Sequence, residues 1–567
     1  MDMWRRATWV VISASLSVAL LIVSSALGNQ NASKDSLRAS PQDLQWWRDA
    51  KFGMFIHWGP VSLTGKEISW SRGGERRGHR TKRNPHGIPV EVYDNLYKRF
   101  NPTKFNAREW VAIAKAAGMR YIVFTTKHHD GFCMFDSKFT NYKITKSPFG
   151  RDVTAELARA CHEAGIRLGF YYSPPDWHHP DYRTKNHKRY IEYLHGQLRE
   201  LCTNYGRVDI IWFDGLGGTA KDWDAERLFK MIRTLQPHVL INNRGGLPGD
   251  FDTPEQRIGH FQMHRPWESC ITLGTQWAWK PNDRIKSLKE CIDILVRCAG
   301  GNGNLLLNVG PMPTGEIEPR QVKRLKEIGA WLKRYGEAIY ATRGGPFRPT
   351  AWGASTHRGN RIYVHILKWI NDVITLPPIQ KRIVRSYLLG GGTVTVDQTD
   401  KCIQISVPAV HRKTLDTIVV LELDGPASEV KVGKLASGSL AFGKHARASN
   451  VFRNMVRDYG PDKALDDDPD TRWATDWGIH QAWLEVDLGK PVMIGSAFIS
   501  EAYDRVRAFE LQYKDATGRW VSLAHGNKIG EHLTIKFKPV TARFVRLLIL
   551  RAVEGPTIWE FQIFPPK

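Results

Sequence analysis

The sequence has few cysteines and, after its first residues, no long apolar run. Its seven cysteines are an odd number scattered among apolar segments, and no two of them form a C-x-x-C pair. We therefore expect most of them to be buried free thiols, while the spacing leaves one or two disulfides open. No stretch beyond the N-terminal region is long enough to cross a bilayer, which excludes a protein with several membrane spans.

Motifs that bind a cofactor are missing as well. No G-x-G-x-x-G follows the first strand-like segment, so nothing supports a dinucleotide site. The adjacent residues His128 and His129 are not accompanied by an H-E-x-x-H motif or a cysteine cluster. Because neighbouring residues on a strand point to opposite faces, these two histidines do not easily bind one ion together. We expect catalysis without a cofactor.

The N-terminal segment, residues 1–28, is typical of a secretory signal peptide. It has a basic start at Arg5 and Arg6, an apolar stretch from about Ala7 to Val23, and the small-residue exit S-S-A-L-G. A membrane anchor is the alternative, but the apolar stretch is short for a span and is interrupted by serines. We expect cleavage after Gly28 and a mature protein that is secreted or periplasmic, without a stable membrane anchor.

The charge of the chain is strongly basic. Lysine and arginine number 81 against 57 acidic residues, which gives a formal net charge of +24. Such a chain attracts polyanions. An exported protein without a recognisable binding motif is not expected to bind nucleic acid, so the expected partner is an acidic or sulfated glycan or an anionic cell surface. The 21 tryptophans suit sugar faces as well as hydrophobic cores.

Strand-like and helix-like segments alternate over residues 41–343, which predicts a (β/α)8-type barrel, irregular in its second half. A doubly wound open sheet is the alternative. The strand-like segments are residues 51–59, 120–131, 167–174, 208–215, 238–245, 267–274 and 304–310. The helical segments between and after them are residues 107–117, 151–164, 190–205, 224–235, 288–298 and 319–340.

Five consecutive strands of this region end in polar or aromatic residues. In a (β/α)8 barrel the carboxyl ends of the strands meet at one face, where the chemistry takes place. Each residue alone has a structural explanation, but together they predict one pocket. The residues are His57, the pair His128 and His129, Tyr172, Asp214 and Arg244.

Several segments together resemble the family 29 glycoside hydrolases, the α-L-fucosidases, over about residues 41–345. They are F-G-M-F-I-H-W-G, T-T-K-H-H-D-G-F, F-Y-Y-S-P-P-D-W, I-I-W-F-D-G, N-N-R-G-G and P-W-E-S, in the order of the family. The resemblance implies retaining hydrolysis through a glycosyl-enzyme intermediate, with Asp214 as nucleophile. It also implies substrate-binding roles for His57, His128, His129, Tyr172 and Arg244, and pocket-lining roles for Trp70 and Trp277.

Two glutamates are candidates for the acid/base residue of such an enzyme. A retaining glycosidase needs a second carboxyl that holds its proton near neutral pH. Glu255 and Glu268 both follow in plausible positions, and members of the family differ over which of these places supplies the residue. We favour Glu268, because its position beside Trp267 at the start of an apolar segment is of the kind that raises the pKa of a carboxyl.

One departure from the family pattern concerns substrate specificity. Many members carry glutamate directly before the pocket tryptophan, whereas this chain has Ser69 there. A sugar contact is then either missing or supplied by Glu67, which leaves α-L-galactose as an alternative substrate to α-L-fucose. The surrounding loop is strongly basic, and we interpret it either as a solvated surface or as a contact for sulfates or uronates. Its basic residues are Lys66, Arg72, Arg76, Arg77, Arg80, Lys82 and Arg83.

Two further regions follow the barrel. Short alternating strands over residues 345–435 predict an antiparallel β-sandwich without chemistry of its own. Residues 440–567 resemble a discoidin-type or family 32 carbohydrate-binding module. That resemblance implies a structural Ca²⁺ held by Asp466, Thr471 and Glu560, and an acidic turn that binds nothing is the alternative. Trp477 is a weak candidate for a sugar contact.

Two functions from different classes are consistent with the sequence. The first is an exported exo-glycosidase that removes terminal α-L-fucose or a closely related sugar. The second is a glycan-binding protein that has kept the barrel but lost turnover. Asp214 together with two downstream glutamates favours the enzyme.

Overall fold

The structure is a computed structural model that describes residues 37–79, 81–369, 371–433, 438–468 and 471–566. The expected signal peptide, residues 1–28, and Arg80 of the basic loop lie outside the described residues. The chain divides into two compact units. One contains the barrel and most of the region up to Lys431, and the other runs from Val432 to the C terminus and includes the short segments Leu376–Pro378 and Thr399–Ile403.

The first unit is built around a curved parallel sheet of seven strands. Their order in the sheet is β5-β4-β3-β2-β1-β7-β6, and all six pairings are parallel. The strands are β1 (Phe52–Ile56), β2 (Tyr121–Lys127), β3 (Arg167–Tyr172), β4 (Ile210–Phe213), β5 (Leu240–Ile241), β6 (Glu268–Thr272) and β7 (Asn304–Val309).

An irregular segment closes the circuit between β5 and β6. Parallel bridges join Asn242 to Phe251, Asp252 to Trp267, and Glu255 to Cys270. Residues 251–255 therefore occupy the place of an eighth strand without forming a continuous ladder. The predicted (β/α)8-type barrel with an irregular second half is confirmed.

Helices connect the strands and cover the outside of the sheet. They are α1 (Pro41–Ala50), α2 (Ala107–Ala116), α3 (Val153–Ala164), α4 (His187–Thr203), α5 (Ala225–Leu235), α6 (Leu288–Gly300) and α7 (Pro319–Tyr335), with short helices at Val90–Tyr93 and Ala220–Trp223. Side chains at the helix starts satisfy free backbone N–H groups. Asp152 accepts from Ala155 N at 2.9 Å at the start of α3, and Ser287 and Glu290 form a reciprocal capping box on α6.

The side chains of each barrel strand alternate between two cores. Those that point inward form an aromatic-rich core, and those that point outward pack against the helices. The inward set includes Phe55, Val123, Tyr171, Trp212 and Leu306. The outward set includes Met54, Phe124, Tyr172, Phe213 and Leu307. This alternation decides which residues reach the active-site face.

The region after the barrel is an antiparallel assembly of short strands. Its five-stranded sheet has the order β8-β9-β10-β15-β12, and the other three strands form a second sheet. The strands are β8 (Arg343–Gly344), β9 (Gly353–Arg358), β10 (Arg361–Ile366), β11 (Val373–Leu376), β12 (Ile383–Leu388), β13 (Thr395–Gln398), β14 (Ile403–Ser406) and β15 (Thr417–Leu423). Tyr363, Ile418 and Val420 belong to the same core as the barrel helices, so the five-stranded sheet covers the flank of the barrel.

The second unit contains an antiparallel sheet with two long strands. The order is β17-β22-β18-β21-β19-β20, and β16 pairs with β18. The strands are β16 (His445–Ala448), β17 (Trp473–Ala474), β18 (Ala482–Glu501), β19 (Val506–Lys514), β20 (Trp520–Gly526), β21 (Leu533–Ala552) and β22 (Thr557–Phe564), with a short helix at Val456–Tyr459. Trp473, Leu484, Val545 and Phe561 lie in its separate core.

All seven cysteines lie in the described residues and are free, and six of them are buried. The expectation of buried free thiols therefore holds, and neither of the disulfides left open by the sequence is formed. Within the described part of the chain, no helix combines the length and the apolar character that a membrane span requires.

Candidate active site

A cavity of about 370 Å³ opens at the carboxyl ends of the barrel strands. Its volume is in the range of small-molecule binding sites, about 300–1,000 Å³. Its walls combine aromatic rings with a small number of polar groups. The lining residues are Phe55, His57, Trp70, His128, Tyr171, Trp212, Asp214, Leu216, Gly217, Arg244, Glu255, Cys270 and Trp277.

Asp214 follows β4 and points into this cavity. Its Oδ2 accepts a hydrogen bond from the hydroxyl of Tyr171 at 3.0 Å, and its Oδ1 accepts from Nη1 of Arg244 at 3.2 Å. Burial pushes the pKa of Asp214 upward, but the charge that His129 carries when it is protonated at acidic pH, the charge of Arg244 and the two hydrogen bonds outweigh it, so the pKa lies below its ordinary value. The carboxylate is therefore ionised at neutral pH.

Arg244 holds two carboxylates at once. Its Nη1 donates to Asp214 at 3.2 Å and to Oε2 of Glu255 at 2.8 Å. The two carboxylates contact the same nitrogen, so these oxygens can be no farther apart than the two distances added together, which suits a retaining pair at roughly 5–5.5 Å. Thr253 fixes the guanidinium, since its Oγ1 accepts from Nε and its carbonyl accepts from Nη2.

Glu268, which the sequence favours as the acid/base residue, is not among the residues that line the cavity. It is the first residue of β6, is fully buried, and accepts hydrogen bonds from the hydroxyl of Tyr121 and from Nε1 of Trp212, the latter at 3.2 Å. Burial raises its pKa to about 7, as its neighbourhood in the sequence indicates. It stands two residues, or about 7 Å along the strand, before the lining residue Cys270, and it does not itself line the cavity.

Tyr172 is also misplaced by the sequence prediction. Its side chain points outward, where its hydroxyl donates to Gln197 at 2.8 Å and its ring faces the ammonium of Lys127. The residue in the cavity is its neighbour Tyr171. Two adjacent tyrosines on one strand differ only in the face they occupy, and the period of two, applied from Phe170 outward, is the signal that separates them.

Three histidines surround Asp214 in their neutral form. Burial lowers the pKa of His57 to about 3, that of His128 well below its ordinary value, and that of His129 to about 4. The Nδ1 atom of each ring has a partner at 2.6 Å, which is Asn308, Ser69 or Ser173 respectively. His57 and His128 line the cavity, and Nε2 of His129 lies 3.4 Å from Asp214 Oδ2.

The hydrogen-bond network fixes the tautomers of two of these rings. Asn308 donates through Nδ2 to the carbonyl of Trp277, so its Oδ1 accepts from Nδ1–H of His57. Ser173 donates to the carbonyl of Pro175, so its oxygen accepts from Nδ1–H of His129. In both neutral rings Nε2 is then an acceptor. Among the described residues, Nε2 of His129 is buried without a hydrogen-bond partner.

Trp70 and Trp277 line the cavity from two loops. The carboxylate of Glu67 holds the second loop, because it accepts from Trp277 N at 2.8 Å and from Ala278 N at 3.0 Å. Glu67 is not among the lining residues, so the alternative that it supplies a sugar contact is not supported. Ser69 is fully buried and bonds Nδ1 of His128, so it orients that ring.

Three basic side chains of the loop stabilise the fold. Arg72 forms a bidentate pair with Asp94 at 2.6 and 2.7 Å. Arg76 donates to the carbonyl of Trp70, and Arg77 donates to three carbonyls of residues 179–182. The exposed basic side chains of the described loop are those of Lys66, Lys82 and Arg83.

One group of the cavity has the composition of a metal site. Ligand atoms of His128, His129 and Asp214 lie within 4.8 Å of one another. Arg244 already supplies a positive charge 3.2 Å from Asp214, so the carboxylate is compensated by the protein itself.

A second acidic cluster lies in the C-terminal unit. Thr471 donates to both oxygens of Asp466, at 2.8 and 2.9 Å. Glu560 is buried, and neither of its carboxylate oxygens has a hydrogen-bond partner among the described residues. Burial, together with the charges of Asp467, Asp466 and Asp468, raises the pKa of Glu560 to about 8. The structure thus brings the three predicted calcium ligands into one acidic region.

The floor of the cavity is formed by residues that the sequence motifs do not predict. Phe55, Tyr171, Trp212 and Cys270 all point inward from their strands and line it. Phe55 and Trp212 each lie two residues from a predicted inward residue, His57 and Asp214 respectively. The period of two along each strand was the available signal.

The barrel and its cavity define a class of protein. A parallel barrel whose strand ends present one ionised carboxylate, a second carboxylate on the same guanidinium and a ring of neutral imidazoles is a glycoside hydrolase of the retaining type. The profile of the family described as Alpha-L-fucosidase matches residues 20–337, and that of the F5/8 type C domain matches residues 445–561. The chain belongs to the α-L-fucosidase family.

Individual proteins agree with this assignment. Human plasma alpha-L-fucosidase is 32% identical over 356 residues, which cover 57% of this chain and 76% of that protein. The solved structure of alpha-L-fucosidase isoenzyme 1 from Paenibacillus thiaminolyticus is 38% identical with a TM-score of 0.62, and covers 68% of this chain and 99% of that one.

Two further solved structures extend the comparison. An alpha-L-fucosidase of Bacteroides thetaiotaomicron, trapped as a covalent intermediate with 2-fluoro-fucosyl fluoride, is 29% identical with a TM-score of 0.60, and covers 68% of this chain and 97% of that one. The alpha-L-fucosidase of Vibrio sp. strain EJY3 is 22% identical with a TM-score of 0.66, and covers 94% of this chain and 99% of that one. At that identity the likeness is one of fold.

Proposed function

We propose that the chain removes terminal α-L-fucosyl residues from glycans with retention of configuration, with Asp214 as nucleophile and Glu255 as acid/base. The observation that carries these roles is the shared contact with Arg244, because one guanidinium keeps both carboxylates beside the same cavity. Membership of the family supports the reaction, and the solved covalent intermediate of a relative supports its course.

The reaction takes two steps at this pair. In the first, the carboxylate of Asp214 attacks the anomeric carbon, the bond to the leaving oxygen breaks, and Glu255 gives its proton to that oxygen. In the second, Glu255 takes a proton from water, and the resulting hydroxide equivalent displaces Asp214 from the sugar. The depressed pKa of Asp214 keeps it ionised for the attack. The 42% exposed side chain of Glu255 can exchange protons with solvent.

The neutral imidazoles form hydrogen bonds with the hydroxyl groups of the sugar. Nε2 of His57 and Nε2 of His129 are acceptors, so they take hydrogen bonds from hydroxyls. Phe55, Trp212 and Trp277 offer apolar surface to the C–H face and to the methyl group of a 6-deoxy sugar. α-L-Galactose adds a hydroxyl at C6, and a wall of this kind leaves that hydroxyl without a partner.

Hydrolysis of 4-nitrophenyl α-L-fucoside tests the proposed activity. We expect turnover by the wild type, its loss in Asp214→Ala, and partial recovery of that variant with azide, which takes the place of the missing nucleophile. If the wild type turns over the α-L-galactoside faster than the α-L-fucoside, the proposed substrate is α-L-galactose and not α-L-fucose. A wild type that binds L-fucose and hydrolyses no glycoside would support the non-catalytic glycan-binding alternative.

We also propose that the C-terminal unit holds a structural Ca²⁺. Hard oxygen ligands are what this ion prefers. The two carboxylate oxygens of Glu560, which have no hydrogen-bond partner within the described residues, lie beside the acidic run from Asp466 and fit the ion, because it would supply the missing positive charge. The predicted ligands are Asp466, Thr471 and Glu560.

A glycan contact of the same unit is proposed at Trp477. Its ring is 68% exposed and meets Phe452 edge to face, and the guanidinium of Arg453 lies 5.4 Å from its centre. Asp476 holds the loop by accepting from Arg453 N at 2.7 Å. Binding of fucosylated oligosaccharides by the wild type and by Trp477→Ala, measured by calorimetry, tests this contact, and equal affinity would exclude it.

An anionic glycan is a narrower form of the substrate proposal. The net charge of +24 and the exposed side chains of Lys66, Lys82 and Arg83 support it. Rates on sulfated and desulfated fucosides, compared between the wild type and a Lys82→Ser/Arg83→Ser variant, test it. If the ratio of the rate on the sulfated fucoside to the rate on the desulfated fucoside is the same in both proteins, the loop does not contact the anionic group.

Export is proposed from the N-terminal sequence. The basic start, the apolar stretch and the small-residue exit support a signal peptide that is removed after Gly28. N-terminal sequencing of protein recovered from the periplasm or the medium should give Asn29 as the first residue. An intact Met1 on a cell-associated protein would contradict cleavage.

A further inference from the structure

A buried carboxyl beneath the cavity has no part in the two-step reaction. Glu268 lies in the barrel interior, where it accepts from the hydroxyl of Tyr121 and from Nε1 of Trp212. Burial is the largest influence on its pKa, and no cation is among the others. Burying a carboxyl in an apolar interior without a counter-charge costs free energy. A functional role of its hydrogen bonds among the described residues would account for this cost.

Trp212 connects this carboxyl to the nucleophile. The indole lines the cavity, stacks on the ring of Tyr171 with centroids 5.7 Å apart, and lies 4.9 Å below the guanidinium of Arg244. Tyr171 and Arg244 are the two groups that donate hydrogen bonds to Asp214. Both groups that hold the nucleophile therefore rest on one indole ring.

We propose that Glu268 is a positioning residue: through its hydrogen bond to Trp212 it fixes the indole on which the partners of Asp214 rest. This inference rests on the proposed hydrolase function. An indole N–H without an acceptor can rotate away from its position, and Tyr171 and Arg244 move with the surface that supports them. A displacement of about 1 Å at such a site can lower the rate about 100-fold.

The protonation state of Glu268 bears on this role. The ionised carboxylate accepts both hydrogen bonds, whereas the protonated carboxyl carries a donor on one oxygen and holds its two partners less well. As the pH rises through about 7, the carboxyl ionises and the indole is held more firmly. We expect kcat/KM to increase with pH across this range.

Other groups packed around Glu268 do not titrate in that range. They are Tyr121 and Cys270, whose pKa values burial raises well above their ordinary ranges, and Cys298, whose pKa it raises to about 12. Trp47 and Asn304, which also face this carboxyl or its tyrosine partner, carry no charge. Of the cavity histidines, His57 and His129 are already neutral above pH 5.

Lys51 supplies a matched control. It is buried near Cys298, and burial lowers its pKa to about 7 as well. Its side chain is not among those that line the cavity or bond Glu268. A change of rate near pH 7 that depended on Lys51 would therefore have a different origin.

The test compares wild type, Glu268→Gln, Glu268→Leu and Lys51→Met on 4-nitrophenyl α-L-fucoside from pH 5 to 9. We expect Glu268→Gln, which keeps an acceptor, to stay within about 3-fold of the wild type at pH 6 and to lose the increase near pH 7. We expect Glu268→Leu to lose about 100-fold in kcat/KM, mainly in kcat. Lys51→Met should keep the wild-type profile.

An unchanged pH profile in Glu268→Gln would overturn the inference. Where Glu268→Leu fails to fold, the pH profile of Glu268→Gln decides alone. The affinity for L-fucose, measured by calorimetry over the same pH range, separates this inference from the proposed function. If the wild type has no activity but its affinity for L-fucose rises near pH 7 only while Glu268 is present, the hydrolase function is wrong and the positioning role stands. If the wild type has no activity and its affinity for L-fucose does not depend on Glu268, both the hydrolase function and the positioning role are wrong.

Discussion

One guanidinium sets the relation between the two reacting carboxyls. Arg244 contacts Asp214 and Glu255 through the same nitrogen, and Thr253 holds it in place. The bond to the guanidinium favours the ionised form of Asp214. Asp214 has Tyr171 as a further donor, whereas Glu255 is the more exposed of the two. The arrangement keeps the proposed nucleophile, Asp214, charged and leaves the proposed proton donor, Glu255, in contact with solvent.

The first prediction concerns Glu255. Glu255→Gln removes the proton donor, and since general acid catalysis contributes about 10²- to 10⁴-fold, kcat/KM on a fucosyl oligosaccharide should fall by that factor. The loss should be smaller on 4-nitrophenyl α-L-fucoside, whose leaving group needs less protonation. Glu268→Gln is the matched control and should not show this dependence on the leaving group. Equal losses on both substrates in Glu255→Gln would contradict the acid role.

The second prediction separates two adjacent tyrosines. Tyr171→Phe removes the hydroxyl that donates to Asp214, so the pKa of Asp214 rises. The acidic limb of the pH profile should therefore move to higher pH, and kcat/KM should fall about 10-fold.

Tyr172→Phe supplies the control for this change. It removes a bond to Gln197 on the outer side of the strand, so it should cost about 1 kcal/mol of unfolding free energy and leave kcat/KM within about 2-fold. Kinetics and thermal unfolding of both variants check the pair. A larger kinetic effect at Tyr172 would reverse the assignment of faces.

Much of this site could be predicted from the strand ends, and the errors of that prediction have a physical cause. His57, His128, Asp214 and Arg244 all reach the cavity. The positions of the motifs predict which segments meet at the cavity. They do not predict which of two adjacent side chains points inward, as Tyr171 and Tyr172 show. Nor do they predict how deep a residue lies: Glu268 has the raised pKa that its apolar neighbours imply, yet it sits below the cavity.

At the scale of elements, the loop after β1 is a frame for the cavity. Glu67 spans from this loop to Trp277 and Ala278, and Ser69 reaches His128. The two arginines Arg72 and Arg76 tie the loop to Asp94 and to the carbonyl of Trp70. The basic composition of the loop reflects in part its internal hydrogen bonds.

The third prediction tests this frame. Glu67→Ala leaves the backbone N–H groups of Trp277 and Ala278 without their acceptor, so the wall formed by Trp277 loosens. KM for 4-nitrophenyl α-L-fucoside should rise about 10-fold, with a smaller effect on kcat. Glu75→Ala in the same loop, whose side chain is 72% exposed, should leave both constants unchanged. An unaltered KM in Glu67→Ala would show that Trp277 is held by other contacts.

Elements with strong periodicity could be predicted, and short ones could not. The alternation of apolar strands with amphipathic helices indicated the barrel correctly. β5 has only two residues in the ladder, and the segment at 251–255 forms isolated bridges, so neither has the length that a pattern requires. Loops such as Leu216–Gly217 enter the cavity through tertiary packing, which no local pattern reports.

At the scale of the whole molecule, the chain joins a catalytic unit to a β-rich unit with its own core. The second unit carries the acidic cluster around Glu560. A carboxyl whose pKa is raised takes up a proton on folding, so between its ordinary value near 4.5 and about 8 it makes the folded state less stable as the pH rises. A bound cation would remove this penalty.

The fourth prediction follows from this balance. At pH 8, addition of CaCl₂ should raise the unfolding temperature of the transition that contains the C-terminal unit by about 5 °C or more. At pH 5 the effect should be smaller, because protons compete for Glu560. Calorimetry of the full chain measures both. In Glu560→Gln the dependence on Ca²⁺ should vanish; stabilisation that persists in this variant would place the ion elsewhere.

The closing segment of the barrel also has a consequence for how this enzyme can be altered. Asp214 follows a strand locked into a continuous ladder, so its location is fixed by the architecture. Glu255 is carried by a stretch whose backbone pairs with its neighbours through scattered bridges and not through a continuous ladder. Insertions or deletions there could move the proton donor and leave the attacking group where it is. Redesign of leaving-group preference should therefore begin with the length of that stretch.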